Sequence, residues 1–430
     1  MNRLLQGIVE RLVRLGDLIV TDPDGQVDRF GDGSGDPVHV VIHTQHAQRA
    51  IAFDPMLALP EAYMDGEIEI VQGDILDLLH LVYRNLGPAG GVEVAWTRAL
   101  EGLRVAFRRL QQVNTSTRAK RNVQHHYDLS REFYQLFLDS DMQYSCAYFE
   151  RPDMTLEEAQ LAKKRHLAAK LMLRPGQQVL DIGSGWGGLG LFLAHNFDVD
   201  VLGVTLSQEQ HAVATDRAHD EGMQSRVHFE IRDYRDLQER FDRIVSVGMF
   251  EHVGVNHYRA FFDNVSSLLK PDGVMVLHSI GRAGPPTATN AFIRKHIFPG
   301  GYIPALSEVL PHIERAGLMV TDIEILRLHY ADTIRHWRQR FLANRDRVVE
   351  IYDERFARMW DFYLAGSEAA FRWQDLMVFQ IQLSLRNDVL PVTRGYMAEC
   401  ERQFALQDGA GDAGPTTRPR KAKRRVAGRH

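Results

Sequence analysis

Residues 179–188 read Val-Leu-Asp-Ile-Gly-Ser-Gly-Trp-Gly-Gly and set one carboxylate and a glycine-rich turn at the end of a buried apolar run. Asp181 supplies the charge. Gly183, Gly185 and Gly187 allow positive φ and let a ligand approach the backbone N–H groups closely, with Ser184 and Trp186 between them. A strand that breaks into such a turn before a helix makes a nucleotide-type pocket at the carboxyl end of a first parallel strand. The spacing D-x-G-x-G-x-G differs from the dinucleotide fingerprint G-x-G-x-x-G.

Later strand ends carry matching chemistry. Thr205, Leu206, Ser207 and Gln210 follow a second strand, where many nucleotide sites place an acid on the ribose hydroxyls; Thr205 and Gln210 bind such hydroxyls without charge. Asp233 and Tyr234 follow a third strand, where an adenine would lie. Asp233 accepts from its amine and Tyr234 packs on its ring. A fourth strand ends at Glu251-His252 and a fifth at His278-Ser279-Ile280. Tyr144-Ser145-Cys146 lie well upstream and Tyr330 well downstream. Taken singly, a histidine or tyrosine at a strand end is more often a satisfied core residue.

The elements that must position these groups follow from hydrophobic period. Strands are expected at 178–182, 199–205, 227–231, 243–247 and 274–279, with helices at 188–195, 208–220 and 255–269. Alternating β and α implies a mostly parallel sheet covered on both faces. Residues 285–305, with several Pro and Gly, form a loop insertion. Residues 331–373 read as long amphipathic helices rich in aromatics, and 376–384 as a final strand. Ahead of this, 1–20 reads as a helix, 39–42, 50–53 and 67–71 as strands, and 73–112 as helical. The expected organisation is a small α+β N-terminal domain (1–113), a polar linker (114–121), a catalytic domain (122–406) and a disordered basic tail (407–430).

The 430 residues include 51 Lys and Arg against 56 Asp and Glu, for a net charge of −5. Seven of the basic residues fall in 418–430, which has no acid, so the folded body is markedly acidic. Such a tail is drawn to anionic lipid by roughly 1 kcal/mol per basic residue. An acidic body without a recognised motif argues against nucleic acid. No apolar run approaches the length of a membrane span. Arg3, Glu10, Arg11 and Arg14 interrupt the N-terminal apolar pattern, unlike a signal peptide. Two cysteines, Cys146 and Cys400, fit a reducing cytoplasm and offer no zinc cluster; no metal site is expected.

The turn at 181–187 resembles the first motif of class I S-adenosylmethionine-dependent methyltransferases. Together with Gln124-His125-His126-Tyr127-Asp128-Leu129-Ser130, Tyr144-Ser145-Cys146-Ala147-Tyr148-Phe149, 205–210, Phe250-Glu251-His252-Val253-Gly254 and 292–301, it resembles the cyclopropane-fatty-acyl-phospholipid synthases and the related mycolic acid cyclopropane synthases. The resemblance spans about 123–385. Tyr63-Met64-Asp65-Gly66 is similar to a segment of the N-terminal domain that the phospholipid enzymes have and the mycolic enzymes lack. The implied architecture is a Rossmann-like α/β methyltransferase domain with helical insertions, plus the small α+β domain.

The implied reaction moves the sulfonium methyl of S-adenosylmethionine to a cis double bond of a phospholipid acyl chain. A carbocation results, and a base, a bound bicarbonate ion in this family, takes a proton from the added methyl so that the ring closes. By position, Cys146, Glu251, His278, Ile280 (through its backbone) and Tyr330 match the bicarbonate ligands. Tyr144, Ser145, Gly183, Gly185, Thr205, Gln210 and Tyr234 match the cofactor contacts. An alkene is a poor nucleophile, so positioning and electrostatics must dominate, in a dry site. Glu251 beside an anion either holds a proton or accepts from the bicarbonate hydroxyl. Residues 292–302 and Trp337, Phe341, Trp360, Phe362 and Tyr363 would line or cover an acyl channel. Where many members carry a second cysteine, this chain has Ser367, which excludes a covalent role there and leaves Cys146 as a wall or anion contact. The expected setting is the inner face of the cell membrane, bound peripherally from the cytoplasm. The N-terminal domain would dock to the membrane, build a homodimer, or both. Competing expectations are a methyl or methylene branch on the acyl chain, an N- or O-methyltransferase of a small metabolite, and a lipid-binding relic.

Overall fold

The computed structural model describes residues 1–87 and 129–411. The expected linker, the 124–128 segment and most of the basic tail lie outside the described residues. Helix α1 (Arg3–Leu12) opens the chain, followed by β1 (Asp17–Thr21), β2 (Val27–Gly31), β3 (Val38–Ile42), α2 (Gln45–Phe53), α3 (Pro55–Met64), β4 (Ile68–Gln72) and α4 (Ile75–Leu86). The sheet order is β2-β1-β3-β4, with β1 and β3 parallel and the outer pairs antiparallel.

Two expectations fail in this first unit. The opening helix stops at Leu12, and Gly16 at φ +101° lets the chain reverse into β1. Residues 50–53 are helical, not a strand. Thr44 caps α2, its Oγ1 accepting from the Ala47 N–H at 3.0 Å, and the helix buries Ala47, Ile51 and Ala52. A short apolar run fits either period, and the cap decides it.

The second unit holds α5 (Arg131–Gln135), α6 (Leu156–Leu171), β5 (Gln178–Ile182), α7 (Gly188–Phe197), β6 (Asp200–Thr205), α8 (Gln208–Asp220), β7 (Val227–Ile231), β8 (Phe241–Val247), α9 (Tyr258–Leu268), β9 (Leu269–Arg282), α10 (Leu306–Arg315), β10 (Met319–Leu326), α11 (His329–Ala343), α12 (Arg345–Ile351), α13 (Glu354–Trp373), β11 (Leu376–Ser384) and α14 (Gly395–Gly411). Helix α14 runs past Gln407, where the basic tail was expected to begin.

The seven strands are ordered β10-β11-β9-β8-β5-β6-β7, parallel from β9 to β7, with β11 and β10 antiparallel at one edge. Period-2 alternation sends Leu180, Ile182, Met275 and Leu277 to one face under α9 and α10. Val179, Val201, Val245 and Val276 pack on the other face with α6, α7 and α8. Strand order reverses at β5, whose neighbours are β6 and β8. The crevice at the carboxyl ends there is where ligands bind in open α/β sheets.

The N-terminal unit docks on α11 and α13. Arg338 bridges Asp361 at 2.7 Å and Asp74 at 2.9 Å, and Tyr63 donates to Asp361 at 3.3 Å. Asp65 pairs with Arg355 at 2.6 Å, so the Tyr63–Gly66 segment is a docking element. Trp337, Phe341 and Trp360 are fully buried in the shared apolar core.

Candidate active site

The turn after β5 is held shut from beneath. The N–H groups of Gly183 and Ser184 both donate to Val204 O, at 2.9 and 3.1 Å. Gly183, Gly185 and Gly187 take φ of +83°, +53° and +85°. A Cβ on Gly183 would stand 2.8 Å from Met249. One cavity opens above this turn. It is lined by Asp181, Gly183, Ser184, Gly185 and Trp186, by Tyr144 and Ser145, by Thr205, Leu206 and Gln210, and by Asp233 and Tyr234.

Two of the expected cofactor residues do not line it. Gly187 begins α7 against α8 and β7, where a Cβ would meet Ala214 and Phe229 at 2.8 Å. Ser207 caps α8, its Oγ accepting from the Gln210 N–H at 3.3 Å. Both shape the pocket wall from behind.

The polar groups of the cavity include buried atoms left for a ligand. Asp181 is buried, and burial pushes its pKa up to about 7; its Oδ2 has no hydrogen-bond partner. Ser184 Oγ is likewise buried without a partner. Leaving such atoms unmatched is unfavourable, so a ligand that engages them gains from it. Thr205 donates to Gln210 Oε1 at 3.2 Å, so the expected ribose pair is already oriented. Asp233 differs from expectation: Arg235 grips both its oxygens, at 2.8 and 2.5 Å. Both oxygens retain some acceptor capacity within this ion pair. Burial raises the Tyr234 pKa, so it faces the cavity as a neutral phenol.

A second group of residues sits beside this cavity. Glu251 lies in a short 3₁₀ turn after β8, between the cavity-lining Met249 and His252. The Ile280 N–H donates to Glu251 Oε1 at 2.6 Å. The sequence assigned the Ile280 backbone to a bicarbonate; in the structure its N–H is taken by Glu251. Burial pushes the Glu251 pKa up to about 7, and Oε2 is buried without a partner. His278 and Ile280 lie two apart on β9 and so share one face of the sheet, and His278 O accepts from the Gly248 N–H at 3.0 Å. Burial holds the His278 pKa well below the usual histidine value, so the ring is neutral.

Cys146 and Tyr330 approach from the helical side. The Ala147 N–H donates to Thr333 Oγ1 on α11 at 3.0 Å, which fixes the Cys146 segment beside the helix that carries Tyr330. Burial raises the Cys146 pKa, so the group is a thiol and not a thiolate. Tyr330 packs edge-on against Trp337 at 5.7 Å, and Trp337 stacks on Tyr144 at 5.1 Å. The Tyr363 hydroxyl lies 3.0 Å from that of Tyr144. Of the aromatics expected along an acyl channel, Trp337 and Tyr363 thus buttress Tyr144, which lines the cavity. Ser367 lies on α13.

The family of mycolic acid cyclopropane synthetases matches residues 114–381. The chain belongs to this family. Residues 11–89 match a separate domain of unknown function. The chain is 40% identical over 328 residues to the cyclopropane-fatty-acyl-phospholipid synthase of Escherichia coli K12, covering 76% of this chain and 83% of that protein. It is 37% identical over 351 residues to a probable fatty acid methyltransferase of Pseudomonas putida, covering 80% and 86%. The crystal structure of mycolic acid cyclopropane synthase CmaA1 with SAH and CTAB superposes with a TM-score of 0.59 at 37% identity, over 61% of this chain and 97% of that one. The chain is a class I S-adenosylmethionine-dependent methyltransferase of the cyclopropane synthase family.

Two polar residues near the site, Lys163 and Gln380, escaped the sequence reading. Lys163 on α6 is buried and donates to Gln143 Oε1 at 2.7 Å and Ser145 Oγ at 2.8 Å. Its charge acts on Asp181, Cys146 and His278 alike, which makes it the common neighbour of the two groups. Gln380 on β11 contacts His278. The signal was available in kind: a lysine on the buried side of a helix, and a glutamine inside the apolar run of β11, must each have a partner.

Proposed function

We propose that this enzyme transfers a methylene group to the cis double bond of unsaturated acyl chains in membrane phospholipids, forming cyclopropane fatty acids. S-adenosylmethionine supplies the electrophilic methyl. Asp181, Ser184 Oγ and the Gly185 N–H would hold its methionine part, the Gly183 and Ser184 N–H groups being taken by Val204 O; Thr205 and Gln210 would hold its ribose, and Tyr234 with the Asp233–Arg235 pair its adenine. The observation that carries the reading is Glu251. It is a buried carboxyl with a pKa near neutrality and one unpartnered oxygen, anchored to the N–H of Ile280, which lies two residues along β9 from the neutral His278.

A bound bicarbonate is the base in this proposal. Tyr330 and neutral His278 would donate to it, and Glu251, protonated for part of the time near pH 7, avoids repelling it. Cys146 remains a thiol wall. Bicarbonate depletion should slow turnover and added bicarbonate should restore it; indifference to bicarbonate assigns the proton to a side chain.

The substrate would be reached in the bilayer. Among the described residues no helix is long and apolar enough to cross a membrane. The seven basic residues of 418–430 favour peripheral contact with anionic lipid on the cytoplasmic face. Truncation before residue 418 should weaken vesicle binding more at low salt than at high salt; unchanged binding removes the tail from the account. Incubation with S-adenosylmethionine and vesicles of cis-unsaturated phospholipid should yield acyl chains heavier by one CH₂, and unchanged chains contradict the reading.

A further inference from the structure

A buried run of hydrogen bonds leads away from His278. His278 on β9 stands opposite Gln380 on β11, and Gln380 Nε2 lies 3.1 Å from His278 Nδ1. Gln380 Oε1 accepts from Lys170 Nζ on α6 at 2.7 Å. Lys170 Nζ also donates to Glu324 Oε2 on β10 at 2.5 Å. The same Glu324 oxygen lies 2.7 Å from His166 Nε2, and His166 Nδ1 lies 2.5 Å from Glu401 Oε1 on α14. His278, Gln380 and Lys170 are each 2% exposed or less.

The run has a single polarity. An ammonium only donates, so the Gln380 atom facing Lys170 is its oxygen. Gln380 must then present its NH₂ to His278. That NH₂ only donates, so His278 Nδ1 accepts, and the proton of the neutral ring sits on Nε2. The reverse orientation would aim an NH₂ at an ammonium and leave buried donors unmatched, which is unfavourable by about 1–3 kcal/mol. At the far end both His166 nitrogens face carboxylates, which only accept. Burial opposes a charge on His166, and Glu324 with Glu401 raises its pKa nonetheless. The charges of His166 and Lys170 are thereby balanced by those of Glu324 and Glu401.

We propose that Lys170, acting through Gln380, fixes His278 as its Nε2–H tautomer, which makes Lys170 and Gln380 positioning residues for the reaction. The ring then has one N–H donor and no free acceptor lone pair, the form suited to holding an anion. The tautomer follows from the hydrogen bonds alone; its effect on turnover rests on the methylene-transfer reading above.

The test uses the full chain with ¹⁵N-labelled histidine, the His278 signals being identified by their loss in His278→Gln. The wild-type protein should show a neutral ring protonated on Nε2 between about pH 6 and 8. A proton on Nδ1, alone or in an imidazolium, overturns the proposal. Gln380→Glu has nearly the same shape and keeps Lys170 paired, but it presents an acceptor to Nδ1. It should move a proton onto Nδ1 and lower kcat by about 10- to 100-fold, the range for outer partners of a metal-bound histidine. The KM for S-adenosylmethionine and the thermal midpoint should hold. Wild-type kcat with an unaltered His278 spectrum in Gln380→Glu overturns the proposal. A wild-type protein that leaves unsaturated phospholipid unchanged would sink the methylene-transfer reading, while its His278 spectrum still decides the tautomer.

Discussion

The Ile280 backbone N–H donates to Glu251 Oε1 at 2.6 Å, and the other carboxyl oxygen of Glu251 is buried without a hydrogen-bond partner. One oxygen anchors the side chain and the other is available for chemistry. Glu251→Gln keeps an acceptor for Ile280 and removes the titration. Turnover should fall by about 10²- to 10⁴-fold, the usual contribution of a proton-handling group. Affinity for S-adenosylhomocysteine, measured by calorimetry, should stay within a few-fold. A large loss of that affinity would assign Glu251 to the cofactor.

Asp181 makes the ligand-free protein sensitive to pH. Its carboxyl would lose a proton near 3.8 when unfolded and near 7 when folded, because burial disfavours the charge. Between those values the folded state holds the extra proton, so stability falls as pH rises through the window, by up to about 1.4 kcal/mol per pH unit. Glu251 acts in the same direction, from 4.5 to about 7. Buried neutral histidines such as His278 act with the opposite sign below about pH 6.5, so the readout is a comparison: between pH 5 and 8 the thermal midpoint of Asp181→Asn should fall less, or rise more, with pH than that of the wild type. Equal slopes in the two proteins refute the assignment.

Lys163 ties Gln143 and Ser145 to the pocket wall from within the core. Burial lowers its pKa to about 8, so it is held mainly as an ammonium at neutral pH. Lys163→Met should weaken S-adenosylhomocysteine binding by about tenfold, equivalent to one hydrogen bond to a charged group. Unchanged binding would make Lys163 a packing residue only.

Gly187→Ala tests the wall behind the glycine turn. Its φ of +85° and the 2.8 Å approach of Ala214 and Phe229 leave no room for a methyl group. Destabilisation of about 1–3 kcal/mol is expected, read as a lower thermal midpoint. A neutral effect would mean that the α7–α8 packing yields.

The glycine turn, β5, α8, β7 and β11 were legible because their signals are local: an unbroken apolar run, a cap, a turn. Most of the residues expected to hold the cofactor gather at one cavity because strand ends of a parallel sheet converge whatever the loops contain. The strand at 50–53 was misread because four apolar residues fit either period. The edge strands β2 and β10 were missed because most of their residues are exposed or half-buried. Arg235 on Asp233 and the Ile280 N–H on Glu251 were invisible for another reason: spacing gives position but not hydrogen-bond occupancy. The Lys170–Gln380 contact joins residues 210 positions apart, beyond any local pattern.

The central claim is ring closure at an alkene, and methyl-labelled S-adenosylmethionine carrying CD₃ tests it directly. With cis-unsaturated phospholipid vesicles, mass spectrometry with fragmentation should find acyl chains that gain CD₂, with the double bond gone and one deuteron lost from the transferred methyl. Chains that retain CD₃ as a branch, that keep a double bond beside the added carbon, or that carry no label would contradict it.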